Sequence, residues 1–84
     1  MELRDYITLL NNSPAYSGDY HRYTLFVRFP GGQYDAFGIT KDDIGARVPW
    51  ELIDKLQLID VIDDLTYYKG ADTVHLITVT CRMY

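Results

Sequence analysis

Apolar and polar positions change period several times along this chain, and the changes mark its elements. Leu3, Tyr6, Ile7 and Leu10 fall at helical spacing, so Glu2 to Asn11 is predicted as a short amphipathic helix closed by Asn11, Asn12, Ser13 and Pro14. Ala15 to Asp19 is predicted as a loop. In the following YHRYTLFVRF, Tyr23, Leu25, Val27 and Phe29 alternate with Arg22, Thr24, Phe26 and Arg28, the pattern of a half-buried strand. Pro30, Gly31 and Gly32 supply a tight connection, and Gln33 to Ile39 is predicted to return as a second strand with Phe37 and Ile39 on one face.

The stretch from Thr40 to Asp64 holds the best helix signal in the chain. Thr40 and Asp43 match a capping box, with Asp in the place of Glu or Gln, over a short turn from Lys41 to Ala46 that Gly45 ends. Pro49 suits the first position of a helix, where its missing N–H has no partner to lose. Trp50 and Ile53 lie three apart, Leu52 and Leu56 four apart, giving WELIDKLQ an apolar stripe. Glu51 and Lys55 stand in the favourable i,i+4 order, worth about 0.3 kcal/mol when exposed. From Leu58 to Ile62 the pattern fits a continued helix or the start of a strand. Leu65 to Tyr68 reads as extended, because Thr and Tyr favour a pleated surface. After a turn at Lys69 to Asp72, VHLITVTCRM from Val74 to Met83 is the best strand pattern in the chain, with His75, Ile77, Val79, Cys81 and Met83 on one face and Val74, Leu76, Thr78, Thr80 and Arg82 on the other, which predicts a central strand.

The expected order is therefore α-β-β-α-β-β, an α+β fold with a small antiparallel sheet and both helices packed on one face. The halves share a helix-then-hairpin plan without a residue-level repeat. At 84 residues, with 48% apolar content, residues 1–84 are expected to form a single domain. One Cys allows no internal disulfide, no apolar run approaches a membrane span, and MELRDYITLL is too short and too charged for a secretory signal. The expected location is the cytoplasm.

Charge adds to this picture. The net charge is −4 at pH 7, and seven acids between Asp42 and Asp64 (Asp42, Asp43, Glu51, Asp54, Asp60, Asp63, Asp64) face only Arg47 and Lys55. Acidity is thus concentrated beside a Trp-bearing helix. One reading is the solvated outer face any helix requires. The other is a negative surface offered to a basic partner, steering association in a salt-dependent way. The same balance argues against a general nucleic-acid binder.

Catalytic and metal chemistry finds little support. His75 and Cys81 share a strand face but lie about 20 Å apart along extended chain, out of hydrogen-bond reach, so Cys81 reads as a core residue. His21 and His75 lack zinc-ligand spacing. Asp60, Asp63 and Asp64 lack the calcium-loop pattern, and Gly31 and Gly32 lead into a strand rather than the helix N-terminus that cradles phosphate. Neither an enzyme nor a cofactor is expected. Arg22, Phe26 and Arg28 on one strand face offer a rival reading, a single-stranded RNA or DNA platform combining cations with an aromatic ring. The same basic strand could pair with the acidic stretch of a second copy, forming a homodimer. Eight tyrosines suit protein interfaces, where an apolar ring with a polar tip buries area at low entropic cost.

In size, acidity and scarcity of Cys, with the acidic run Asp54, Asp60, Asp63, Asp64 beside Tyr67 and Tyr68, the chain resembles the small phage-encoded inhibitors of bacterial defence, anti-CRISPR proteins in particular. The likeness is one of type and carries over no residue's role. It implies a viral protein in the host cytoplasm, occupying the nucleic-acid-binding surface of a basic defence complex by presenting carboxylates where phosphates sit. The leading expectation is accordingly a non-enzymatic inhibitor or regulator. Its expected contacts are Asp42, Asp43, Glu51, Asp54, Asp60, Asp63, Asp64, Tyr67 and Tyr68.

Overall fold

A computed structural model describes residues 1–30 and 37–84. In chain order the elements are α1 (Leu3–Asn11), α2 (Pro14–Ser17), β1 (His21–Arg28), β2 (Phe37–Thr40), a 3-10 turn (Lys41–Asp43), α3 (Trp50–Ile53), β3 (Leu56–Lys69) and β4 (Asp72–Met83). The connection expected at Gly31 and Gly32, and Gln33 to Ala36 of the expected second strand, lie outside the described residues.

The α+β class holds, but the sheet is mixed where an antiparallel one was expected. Its order is β2-β1-β4-β3, and β1 runs parallel to β4 over eight residue pairs, from His21↔Thr73 to Arg28↔Thr80. The two hairpin partnerships, β1 with β2 and β3 with β4, are antiparallel. Between them the chain must cross from one edge of the sheet to the other, and it does so through the 3-10 turn and α3. The last hairpin then inserts β4 next to β1, which gives VHLITVTCRM the central place its alternation implies.

Alternation decides the core. Tyr23, Leu25 and Val27 of β1, Ile39 of β2, Ile77, Val79 and Cys81 of β4, and Leu56 and Leu58 of β3 form one buried cluster with Leu3, Ile7 and Leu10 of α1 and Ile53 of α3. All of these lie on a single side of the sheet, the side carrying the helices. Full burial of a residue such as Leu25 contributes about 1.5–3 kcal/mol.

Three helical expectations change. Pro14 does not close α1; it opens α2, at the N-terminal position where its missing N–H is harmless. Pro49 is the N-cap of α3 rather than its first helical residue, and α3 is a single turn. The apolar stripe of WELIDKLQ suggests a longer helix, yet the chain is already extended at Leu56. Leu56 and Leu58, two apart, pair with Met83 and Cys81 and bury on the core side, so packing against β4 overrides helical spacing. Glu51 and Lys55 therefore do not share a helix. The capping box is as read: the Thr40 amide donates to Asp43 Oδ2 at 3.0 Å. Gly45 has φ of +86°, a left-handed turn with Trp50 Nε1 close by, where a side chain is strained.

The ambiguous Leu58–Ile62 is strand. β3 carries register shifts between Leu58 and Asp60 and between Val61 and Asp63, so Ile59 and Ile62 are extra residues relative to β4. These two bulges explain why no clean period of two runs through the segment.

Candidate functional site

One side of the sheet is turned away from the helices. Across it run Arg22, Thr24, Phe26 and Arg28 of β1; Val74, Leu76, Thr78, Thr80 and Arg82 of β4; and Asp60, Asp63, Leu65 and Tyr67 of β3, aligned by register opposite Thr80, Thr78, Leu76 and Val74. Among the described residues no helix contributes to it. Phe26 is half-buried, its ring beside Gly38 of β2, where a Cβ would meet the ring at 3.3 Å. Val74 is buried outside the core cluster, on this face between its register neighbours Arg22 and Tyr67. An apolar strip thus runs from Phe26 across Leu76 and Val74 to Leu65 and Tyr67. Cations flank it on the β1 and β4 side, and Asp60 and Asp63 flank it on β3.

Strand β3 is an outer strand, and the described residues cover its free edge only in part. Met1 and Glu2 close its beginning: the Leu58 amide donates to the Met1 carbonyl at 2.8 Å, and Glu2 bridges Gln57. Beyond that, every residue from Ile59 to Lys69 is exposed, including Ile59, Val61, Ile62, Leu65, Tyr67 and Tyr68. Large apolar side chains on an uncovered edge mark an interaction surface.

A second cluster, on the helix side, was not legible in the sequence. The parallel register places His75 beside Tyr23, and so brings His21 Nδ1 to 3.2 Å from His75 Nε2, with the rings stacked at 5.5 Å. Thr66 Oγ1 lies 3.3 Å from His75 Nδ1, so both ring nitrogens of this buried imidazole have partners. Tyr16 packs on His75 at 4.7 Å and donates its hydroxyl to Asp64 Oδ2 at 2.5 Å. That bond to a carboxylate, with burial second, pushes the Tyr16 phenol up to about 12. A cleft of about 330 Å³ opens beside the cluster, lined by Tyr16, His21, Arg22, Thr40, Lys41 and Asp42 among others. The imidazoles are bonded to each other and to a threonine, an arrangement that orders a polar edge of the core. Among the described residues no group of three or more His, Cys, Asp or Glu is placed to hold a metal ion. Cys81 is fully buried, and burial raises its thiol to about 11.

The nine residues expected from the sequence to bind a partner divide between several places. Asp60, Asp63 and Tyr67 meet on the open sheet face. Asp64 and Tyr68 lie on the other side of the same strand, Asp64 bonded to Tyr16 and Tyr68 80% exposed. Asp54 is held by Arg4 through two bonds of 2.5 and 2.7 Å, and Arg4 also stands 4.4 Å over the Trp50 ring. This partner keeps the Asp54 carboxyl below its ordinary value. Asp43 caps Thr40, whose backbone and side-chain bonds lower its pKa, and it pairs with Arg47 at 3.4 Å. Asp42 lines the cleft and Glu51 is exposed on α3. The acids are thus distributed over both faces, and two of them already face arginines.

Comparison with protein-family models finds no match, and comparisons with curated proteins and with solved structures find none.

Proposed function

We propose that this chain is a non-enzymatic protein-binding module, a regulator or inhibitor, whose contact surface is the open sheet face bordered by β3. The carrying observation is the exposure of Leu65 and Tyr67 beside Asp60 and Asp63, on a face to which none of the described helices contributes. An apolar centre with charges around it is the anatomy of a protein interface, where aromatic side chains supply affinity and rim charges supply orientation. The partner is a protein with basic side chains that meet Asp60 and Asp63. An inhibitor that occupies a nucleic-acid site on a defence complex is one form this takes, with two carboxylates of the sheet face standing in for phosphates.

The rival reading, nucleic acid bound through Arg22, Phe26 and Arg28, is less favoured by the same face. Arg22 pairs with Asp72 at 2.6 Å, Phe26 is half-buried, and Asp60 and Asp63 repel phosphate from β3, one strand beyond β4 on the same face. Arg28 is the exposed cation that keeps it testable, by a gel shift that Arg28→Ala abolishes.

The protein reading is tested on a partner identified by co-purification and mass spectrometry. Asp60→Asn combined with Tyr67→Ser is expected to weaken its affinity by about tenfold or more and to flatten the salt dependence. Unchanged affinity and salt dependence in that variant sink the reading.

A further inference from the structure

The uncovered edge of β3 is regular over one segment only. From Asp63 to Lys69 every residue has a single partner on β4, running from Asp63↔Thr78 to Lys69↔Asp72, whereas the bulge at Ile62 shifts the register on one side and the Gly70 turn, at φ +62°, ends the ladder on the other. Every second residue of this run turns its N–H and C=O away from β4, so among the described residues unpaired backbone groups recur along the edge in regular spacing. Three of the side chains are large and exposed: Leu65, Tyr67 and Tyr68. Such an edge is a template for another strand.

We propose that its occupant is a second copy of this chain, with the two β3 strands antiparallel about a two-fold axis at Thr66. A two-fold axis perpendicular to the sheet keeps open face on open face, so each residue must meet one of the same parity. Centring on Thr66 uses the whole regular segment. It sets Asp63 opposite Lys69 of the second copy, Leu65 opposite Tyr67 and Asp64 opposite Tyr68, each twice by symmetry. Asp63, Leu65, Tyr67 and Lys69 all lie on the open face, aligned with Thr78, Leu76, Val74 and Asp72. Two ion pairs and two aliphatic–aromatic pairs result, the combinations that stabilise cross-strand neighbours.

Charge distribution selects this arrangement. The acids of the strand, Asp60, Asp63 and Asp64, lie in its first part, and its lone base, Lys69, closes it. Parallel pairing in register stacks Asp63 on Asp63 and Asp64 on Asp64. Centring on Tyr67 sets Leu65 against Lys69, and centring on Leu65 runs into the bulged residues. Asp63 and Lys69 belong to none of the three ion pairs among the described residues; Asp63 Oδ1 accepts the Asp64 amide at 3.0 Å, a bond that leaves its charge to be met by a cation. The assembly joins two four-stranded sheets into one of eight strands with a continuous open face.

The inference uses the same strand as the proposed partner surface but is read on the purified chain alone, so the two fail separately. Sedimentation equilibrium of the wild type is expected to give twice the 9.8 kDa chain mass. Asp63→Lys and Lys69→Asp, each alone, place like charges opposite each other and are expected to halve that mass. Both changes together restore it. As a second measure, Thr66→Cys sits on the axis at a cross-strand Cα separation compatible with a disulfide, and mild oxidation is expected to link two chains. The proposal is overturned by a wild type that stays at the single-chain mass at all concentrations without Thr66→Cys linkage, by single variants that remain dimeric, or by a folded double variant that stays monomeric.

Discussion

His21 Nδ1 and His75 Nε2 stand 3.2 Å apart although 54 residues separate them, because β1 and β4 run parallel and in register. Their contact reports the topology, since no local pattern brings them together. Replacing His75 with Ala removes a buried ring and leaves His21 and Thr66 without that partner. The expected cost is about 1–3 kcal/mol in urea unfolding followed by Trp50 fluorescence. His21→Ala costs less, and a double-mutant cycle gives a non-zero coupling. Additive effects contradict the bonded pair.

Arg4 and Asp54 tie α1 to the end of α3. Asp54 has its folded-state pKa lowered by the Arg4 bonds, so the pair's contribution is complete above the ordinary carboxylate range and disappears as pH falls through the lowered value. The wild type is therefore expected to exceed Asp54→Asn in stability by a constant margin at neutral pH, and the two curves converge in acid. Curves that stay parallel into acid show that the pair contributes nothing pH-dependent.

At the alkaline end the sign reverses. Tyr16 is held protonated by Asp64, its phenol raised from 10.0 to about 12. Its contribution is complete below pH 10 and is lost as pH rises toward 12. Thermal unfolding of Tyr16→Phe against wild type is expected to show a gap below pH 10 that closes above it.

Cys81 provides a probe of the core. With the thiol raised from 9.0 to about 11, its thiolate fraction at neutral pH is about 100-fold below that of a free cysteine, and the side chain has no exposure. A thiol reagent is expected to leave the native protein unmodified and to react with one equivalent after denaturation. Rapid native reaction contradicts the packing described for β4.

What the sequence conveyed and what it withheld follow from how local each signal is. The alternation of β1 and β4 depends on nearest neighbours in the chain, and both strands, the core positions Tyr23, Leu25 and Val27, and the Thr40–Asp43 cap were readable. The parallel pairing of β1 with β4 is a long-range choice that either strand leaves open, so the mixed sheet and the histidine contact were not. In β3 the extra residues Ile59 and Ile62 shift the faces twice, which hid a 14-residue strand behind an irregular pattern. The same shifts divide the acids: Asp60 and Asp63 reach the open face and Asp64 the other. Clustering along the sequence is therefore not clustering in space, and of nine expected contacts only Asp60, Asp63 and Tyr67 share a surface with the apolar strip and its exposed end at Leu65.

The most direct test of the sheet face as the contact surface compares two glutamate substitutions at exposed leucines, by calorimetric binding of the co-purified partner. Leu65 lies on the open face at 57% exposure and Leu9 on α1 at 58%, so solvation is matched and only location differs. Leu65→Glu is expected to abolish binding while Leu9→Glu leaves it intact. Loss of binding through Leu9→Glu with Leu65→Glu unaffected would place the partner on the helical side and contradict the account.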